Sequence, residues 1–184
     1  MKKVVKIVLL LILLLLILHI LTNCQFMYGN HDFSVQNLHY VAHDLFPFCY
    51  VADYSWPAGQ TGAVIDILDV CEGRYVTMLG GHPVEPFLVN LQNAQYICSE
   101  SVLPSDAAVE QYHLVLNLSE NIVKAEYIEM DLYHCIRRNQ FVQILVTVHC
   151  SDENPVFYSD NGKLYRRSDN SLVDGFFYYS DYSA

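Results

Sequence analysis

The sequence predicts an all-β domain that is stapled by disulfides and preceded by an N-terminal hydrophobic segment. The first residues are cationic and then apolar, six cysteines are spread over the rest, and the later apolar runs are short and rich in Val, Ile, Tyr and Phe. Short apolar runs of this kind, separated by Gly, Pro, Asn and Asp, are typical of strands rather than helices. The 184 residues suit one domain of ordinary size.

Residues 1–23 form the hydrophobic segment. Three lysines give it a positive start, the run from Ile7 to Ile20 is almost unbroken Leu, Ile and Val, and the run stops before Cys24. This order predicts a signal peptide, and therefore a product that is secreted or held in the lumen of the endoplasmic reticulum. The run is long for a signal peptide and somewhat short for a spanning helix, so an uncleaved type II membrane anchor is the alternative.

Six cysteines follow the apolar run, and the oxidising secretory pathway makes disulfides their expected state. These cysteines are Cys24, Cys49, Cys71, Cys98, Cys135 and Cys150. No C-x-x-C or C-x-x-H pair is present, so the spacing does not fit a structural zinc site. Six cysteines allow fifteen connectivities, and spacing alone does not choose among them. Cleavage before Cys24 would keep all six in the product, and cleavage after it would leave five.

Strands are predicted along the whole domain. They span Leu38–Ala42, Phe46–Ala52, Ala63–Val70, Tyr75–Leu79, Glu85–Leu91, Gln95–Ser99, Tyr112–Leu116, Val123–Tyr133, Phe141–Cys150, Val156–Tyr158 and Lys163–Arg166. The break at Asn161-Gly162 is a strong hairpin signal, because Asn-Gly supplies the two positive-φ residues of a type I′ turn. Ser105 to Glu110 is predicted to form a capped helical turn.

Alternation is clearest in the strand that ends at Cys150. The residues predicted to point inward are Ile144, Val146, Val148 and Cys150. The residues predicted to face the other way are Gln143, Leu145, Thr147 and His149. A cysteine at the end of such a strand can bridge to a facing sheet, as in immunoglobulin-like sandwiches, and Trp56 offers a second core anchor.

Asn117-Leu118-Ser119 is the only N-x-S/T sequon of the chain. A secreted product would expose it to glycosylation, so Asn117 is the predicted glycan acceptor. The alternative is an unoccupied sequon, because the apolar run from Leu114 to Leu118 favours burial.

The chain is acidic, with 20 Asp and Glu against 10 Lys and Arg and a formal net charge of −10. Nucleic acid is therefore not an expected partner, because neutralising phosphates requires a Lys/Arg surface. The charge fits either a soluble secreted domain or a protein that meets a basic receptor face.

No catalytic motif is present: G-x-S-x-G, H-E-x-x-H and Gly-rich phosphate loops are all absent from the sequence. His39 and His43 are four residues apart, which on a strand is about 13 Å, too far to share one ion. We therefore expect no metal, no cofactor and no enzymatic activity. The alternative is a secreted hydrolase that brings His39, His43 and an acidic residue into one cleft.

The cysteine-bearing strands resemble a known family. The matching segments are Cys49, Tyr54-Ser55-Trp56, Val64 to Cys71, Val84 to Leu91, Ala94 to Cys98, Leu132 to Cys135 and Gln143 to Cys150. In this order they are similar to the secreted immunoglobulin-like accessory proteins encoded by the eighth reading frame of SARS-related coronaviruses. All six cysteines find a counterpart in that family. Residues 100–130 are an insertion relative to its pattern, and Asn170 to Ala184 extends past its end.

The resemblance implies an immunoglobulin-like β-sandwich over residues 24–167, followed by an aromatic and acidic tail over 168–184. It also implies three disulfides, which pair Cys24 with Cys135, Cys49 with Cys150, and Cys71 with Cys98. The first two would close loops of about a hundred residues, and each would contribute on the order of 4 kcal/mol through the unfolded state.

The role implied by the resemblance is that of a viral accessory glycoprotein, which modulates host immunity by contacting host immune or secretory-pathway proteins. The family's additional cysteine, which links two copies, has no counterpart here, so any homo-oligomer is expected to be non-covalent. The alternative to an accessory protein is a type II membrane-anchored envelope or entry-related structural protein. The membrane would then be met only through the N-terminal segment.

Overall fold

The computed structural model describes residues 11–15, 30–43, 47–81, 87–92, 94–96, 108–125, 128–129, 132–135 and 140–182. Cys24, Cys98 and most of the predicted leader lie outside these residues. Residues 11–15 are helical, and no helix of the described part is long and apolar enough to span a membrane.

The described domain is all-β, as predicted. Its strands are β1 Asn30–Val35, β2 Leu38–His43, β3 Phe48–Ser55, β4 Gly62–Asp66, β5 Val70–Cys71, β6 Arg74–Leu79, β7 Phe87–Asn90, β8 Ala94–Tyr96, β9 Val109–Leu118, β10 Lys124–Ala125, β11 Ile128–Glu129, β12 Leu132–Cys135, β13 Gln140–Cys150, β14 Phe157–Asp160 and β15 Lys163–Arg166. A short 3-10 helix at Tyr179–Asp181 follows them.

The strands form two main sheets and a hairpin. The first sheet runs in the order β1-β2-β3-β6-β10, with β5 paired to β6, β7 paired to β3, and β11 paired to β7. The second sheet runs in the order β4-β9-β13-β12-β8, and β14 pairs with β15. Both sheets contribute to one core, because Tyr40 and Val51 of the first pack in the same buried cluster as Leu114, Leu116 and Ile144 of the second.

Strand direction is mixed in both sheets. In the second sheet β9 lies parallel to β4 and to β13, and in the first sheet β3 lies parallel to β6 and to β7. The pairs β1–β2, β2–β3 and β12–β13 are antiparallel. An immunoglobulin sandwich is built from antiparallel sheets, so these parallel pairs are a difference from the expected pattern.

Strand β13 alternates as predicted. Ile144, Val146 and Val148 are fully buried in the core, and His149 on the opposite face is exposed. Leu145 faces away from the core but is also buried, which alternation alone does not explain. Its ladder partner is His113, on which Tyr179 stacks with ring centroids 4.2 Å apart, so the C-terminal segment covers this part of the outer face.

Tight turns set the register of three hairpins. The predicted Asn161-Gly162 turn is confirmed, with φ of 48° and 75° between the paired residues Asp160 and Lys163. Two further hairpin turns, at Gln36-Asn37 and Glu72-Gly73, also have positive φ at both central residues. These two turns were not predicted from the sequence.

Two predicted elements differ from the structure. The predicted helical turn is wrong at Val109 and Glu110, which are the first residues of β9; positions 105–107 lie outside the described part. The long strand expected over Val123–Tyr133 is divided among β10, β11 and the start of β12. In both places the backbone follows non-local partners rather than local propensity.

The tail packs into the domain. Val173, Phe176 and Tyr178 belong to the common core, and the Tyr178 hydroxyl donates a hydrogen bond to the Val173 carbonyl at 2.8 Å. The Val146 N–H donates to the Phe177 carbonyl at 2.6 Å, which joins the tail to β13. Residues 168–182 are therefore part of the folded unit.

Candidate functional site

A cavity of about 260 Å³ lies where the two sheets end. The first sheet contributes the turn after β3 and the residues after β7, and the second contributes β9, the end of β12 and the start of β13. The lining residues are Trp56, Pro57, Ala58, Gly59, Gln60, Leu91, Gln92, Tyr112, Cys135 and Gln140.

Aromatic rings form one wall of this cavity. Trp56 is the only tryptophan of the chain, and its indole N–H donates to the Gln60 carbonyl at 2.9 Å, which fixes both the ring and the turn. Its ring lies 5.3 Å from that of Tyr112 and packs edge-on against Tyr54 at 5.9 Å. Such contacts hold the wall in one conformation.

Side-chain carboxamides supply the polar part of the lining. Gln60, Gln92 and Gln140 all line the cavity, and the Gln140 amide donates to a Glu110 carboxylate oxygen at 2.6 Å. No charged side chain belongs to the lining among the residues that the structure describes. The described lining is thus part aromatic and part amide.

A second feature is a row of polar side chains across the first sheet, centred on His39. The His39 Nδ1 atom lies 2.9 Å from an Asp53 carboxylate oxygen, and its Nε2 atom lies 3.6 Å from an Asp32 oxygen. Ser34 is the ladder partner of His39 on β1. A register shift between His39 and Tyr40 marks a bulge at this point.

The two histidines singled out in the sequence both lie on β2, as predicted, four residues apart along the strand. Within the described part of the chain no group of three or more His, Cys, Asp or Glu side chains is placed to hold a metal ion. The neighbours of His39 are the carboxylates of Asp53 and Asp32.

Apolar side chains are exposed together on the first sheet. Val70, Tyr75 and Val123 are 45%, 57% and 41% exposed, and we call these three residues the binding face. Val70 is the ladder partner of Tyr75, and the Val123 N–H donates to the Thr77 carbonyl on the same strand as Tyr75.

Three of the predicted disulfide cysteines carry free thiols in the structure. Cys49 and Cys71 are buried and Cys150 is half-buried. Burial, and then the nearby Cys71, raise the pKa of the Cys49 thiol to about 11, and Arg74 opposes the shift. Burial also raises the pKa of the Cys150 thiol to about 11, although Arg167 lowers it.

The structure places Cys49 near Cys71 but does not join them. Cys49 pairs with Val76 and Val70 pairs with Tyr75, so β6 lies between the two cysteine-bearing strands. Two strand spacings are about 10 Å, beyond the Cα separation of about 7 Å that a disulfide tolerates.

None of the three predicted disulfides is joined in the described part of the chain. The pairing of Cys49 with Cys150 is not formed there. Cys24 and Cys98 lie outside the described residues, so the pairings with Cys135 and Cys71 are not seen. All three pairings stay predictions.

Asn117 lies near the end of β9, and its side-chain amide donates to an Asp66 carboxylate oxygen at 2.6 Å. This contact is exposed, whereas Leu118 is buried and the Ser119 carbonyl accepts a hydrogen bond from Asn154 at 3.0 Å. The amide of the predicted acceptor is therefore on the accessible side of the strand. Its glycosylation stays a prediction.

No family model, no curated protein and no solved structure matches this chain. The family resemblance therefore rests on the sequence segments quoted above.

Sequence reasoning found part of these sites. It named Trp56 as a core anchor and His39 as a residue of interest, but not the glutamines of the cavity or the binding face. Glutamines have no local pattern that indicates a shared cavity, because β3, β7, β9 and β13 are distant in sequence. The alternation of β6 could have indicated an outward Tyr75.

Proposed function

We propose that this chain is a viral accessory glycoprotein, secreted or lumenal in the endoplasmic reticulum, that modulates host immunity through protein contacts and without catalysis. The family resemblance supports the viral and immune part of this proposal. The structural observation that supports a binding role is that three neighbouring apolar side chains, Val70, Tyr75 and Val123, are exposed together on the binding face. An immunoglobulin-like arrangement is part of the proposal, supported by two sheets that share one core next to Trp56.

The binding face has the composition of an interaction surface. Strands β5 and β10 both pair with β6, so Val70 and Val123 lie on strands next to the one that carries Tyr75. Single exposed apolar residues are common on any protein, whereas neighbouring ones rimmed by charge are typical of a docking surface. Glu72, in the turn between β5 and β6, supplies an exposed charge beside Val70. Tyrosine is also enriched at interfaces.

The partner is expected to present a basic surface around an apolar centre. The chain has a formal net charge of −10, which would attract such a surface during encounter and repel acidic ones. Binding is therefore expected to weaken as salt concentration rises.

The test compares two valine variants of the secreted chain against a panel of purified host immune and secretory-pathway proteins. Val70→Glu places a charge in the binding face, and Val64→Glu places the same charge on β4, where Val64 is 67% exposed. We expect Val70→Glu to weaken binding at least about tenfold and Val64→Glu to leave it unchanged. Equal binding by both variants would contradict the proposed face.

Localisation is tested by mass spectrometry of the mature N-terminus. A secreted or lumenal product begins after the predicted leader, near Cys24. An uncleaved type II anchor, the alternative, keeps Met1 or Lys2. Non-reducing peptide mapping of the same material tests the disulfides, and free thiols at Cys71 and Cys98 would remove the main support for the family fold.

A secreted hydrolase is the second candidate, and the His39 row is the observation that favours it. Ser34, His39 and Asp53 are successive ladder partners across β1, β2 and β3, with the 2.9 Å contact orienting the imidazole. This order is that of a nucleophile, a base and its orienting carboxylate. Labelling by a fluorophosphonate that is lost in both Ser34→Ala and His39→Ala would support this candidate, and no labelling would exclude a serine hydrolase.

A further inference from the structure

We propose that the cavity at Trp56 and Tyr112 binds one neutral sugar residue of a glycan. This inference concerns a site separate from the binding face, so it goes beyond the proposed function. It is argued from the size of the cavity, the chemistry of its lining and the way its side chains are held.

The volume indicates a ligand of one ring. Pockets for drug-sized ligands are about 300–1,000 Å³. The cavity here, at about 260 Å³, is just below that range. A single pyranose ring with its substituents is the size of ligand that such a cavity holds, whereas a dinucleotide or a lipid chain is too large.

The lining indicates a neutral ligand. A charged group that loses water inside a cavity needs an opposite charge beside it, and no charged side chain belongs to the described lining. A purely apolar ligand would leave the polar part of the lining unused, because the exposed carboxamides of Gln60 and Gln92 and the remaining hydrogen-bonding capacity of Gln140 can bind a polar group.

A sugar satisfies both parts of the lining. The C–H face of a pyranose ring is apolar and packs flat on an aromatic ring, and the half-buried Tyr112, which packs against the buried Trp56 ring, is the ring that can supply it. Its hydroxyls both donate and accept, and each carboxamide likewise carries two donors and an acceptor. The two halves of the lining therefore match the two kinds of surface on one sugar.

The site is also partly preorganised. The Gln140 amide is held by Glu110 at 2.6 Å, and the Trp56 ring is held by the Gln60 carbonyl at 2.9 Å. Side chains that are already ordered lose less entropy when a ligand binds, which raises affinity without new contacts.

Tryptophan fluorescence gives a direct test, because Trp56 is the only tryptophan of the chain and lines this cavity. The full secreted chain is titrated with mannose, galactose and N-acetylglucosamine up to tens of millimolar, with saturation-transfer NMR as a second readout. We expect a saturable change for at least one of these sugars with a Kd on the order of 1 mM, which is about 4 kcal/mol of binding free energy.

Variants locate the binding. Tyr112→Ala removes the aromatic face and Gln140→Ala removes a carboxamide, and each is expected to raise the Kd at least about fivefold. Gln111→Ala is the matched control, because Gln111 is an exposed neighbour of Tyr112 outside the lining. Gln140→Ala keeps the test valid if Tyr112→Ala does not fold, since Gln140 begins its strand and is only half-buried.

Three outcomes would overturn the inference. They are no saturable response to any neutral sugar, stronger binding of the carboxylated sugar N-acetylneuraminic acid, and binding that Gln140→Ala and Gln111→Ala leave equally unchanged. Val70→Glu, which tests the binding face, is expected to keep the sugar response. Failure of either proposal is therefore distinguishable from failure of the other.

Discussion

The second sheet is organised around one long strand pair, whereas the first sheet is assembled from shorter pairs that meet with register shifts. β9 and β13 stay in register from the Phe141–Val109 pair to the Cys150–Leu118 pair. In the first sheet the register shifts between His39 and Tyr40, and again between Cys49 and Tyr50. Irregular pairing re-aims side chains, and the first sheet is where the His39 row and the binding face lie. The second sheet is thus the scaffold, and the first carries most of the candidate chemistry.

The largest expected effect tests the second sheet as the scaffold, by truncating a side chain that is buried in it. Leu116 is fully buried in β9, so Leu116→Ala is expected to lower the free energy of unfolding by about 2–5 kcal/mol. Val115→Ala, on the outer face of the same strand, is the control, with an expected cost of less than about 1.5 kcal/mol. Urea denaturation measures both, and equal costs would contradict the inward assignment of Leu116.

Thiol alkylation compares the two sheets at one cysteine each. The pKa values of Cys49 and Cys150 are both raised to about 11, chiefly by burial, so thiolate is scarce in the folded protein at pH 8. In reduced protein we expect iodoacetamide to modify both cysteines about 100-fold more slowly than in urea. A fast reaction at either cysteine under native conditions would contradict the raised pKa of its thiol.

The same pKa shifts predict how stability depends on pH. Because the folded pKa exceeds the unfolded pKa, the unfolded chain releases its thiol protons first as pH rises. The two protonated thiols therefore cost no stability below about pH 9. The free energy of unfolding falls between about pH 9 and pH 11, as the unfolded chain loses these protons and the folded chain keeps them. Cys49→Ala is expected to flatten this decline in reduced protein, as measured by urea denaturation at each pH. If Cys49→Ala leaves the fall in the free energy of unfolding unchanged, other titratable groups cause that fall.

The smallest expected effect lies in the His39 row. Asp53→Asn removes the charge from the 2.9 Å contact with His39 and is expected to lower the free energy of unfolding by about 0.5–1 kcal/mol. Asp32→Asn is the control, because that carboxylate is 64% exposed and 3.6 Å from the imidazole, and we expect almost no change. A larger loss for Asp32→Asn would reverse the assignment of the orienting carboxylate.

The sequence predicted β13 and the β14–β15 hairpin well, because both carry local signals. Alternating Ile144, Val146 and Val148 sufficed for the first, and Asn161-Gly162 for the second. The alternation of Leu114, Leu116 and Leu118 is equally local, and it indicates one buried face on β9. What local sequence could not show is that this segment, an insertion relative to the resembling family, lies inside the second sheet between β4 and β13, because its partners Ile65 and Val148 are distant in the chain.

The candidate sites were less predictable for the same reason. The cavity combines Trp56 after β3 with Tyr112 on β9 and Gln140 on β13, and no local pattern connects these positions. His39 was weighed from its spacing to His43, whereas its closest carboxylate, Asp53, is reached across a strand pair with a shifted register. Sites of this kind follow from sheet topology, which local propensity does not specify.

The parallel pairing of β9 with β13 has a consequence for how the chain matures. Parallel neighbours cannot be joined by a tight turn, so both partners of β9 are distant from it in the chain, and of the two only β13 is synthesised after it. The edge of β9 that pairs with β13 is completed only after β13 has been synthesised. Phe177, which accepts a hydrogen bond from Val146 of β13, is synthesised later still. Folding dominated by such contacts is slow. During synthesis one edge of β9 therefore stays unpaired, and open to chaperones, until β13 has been made.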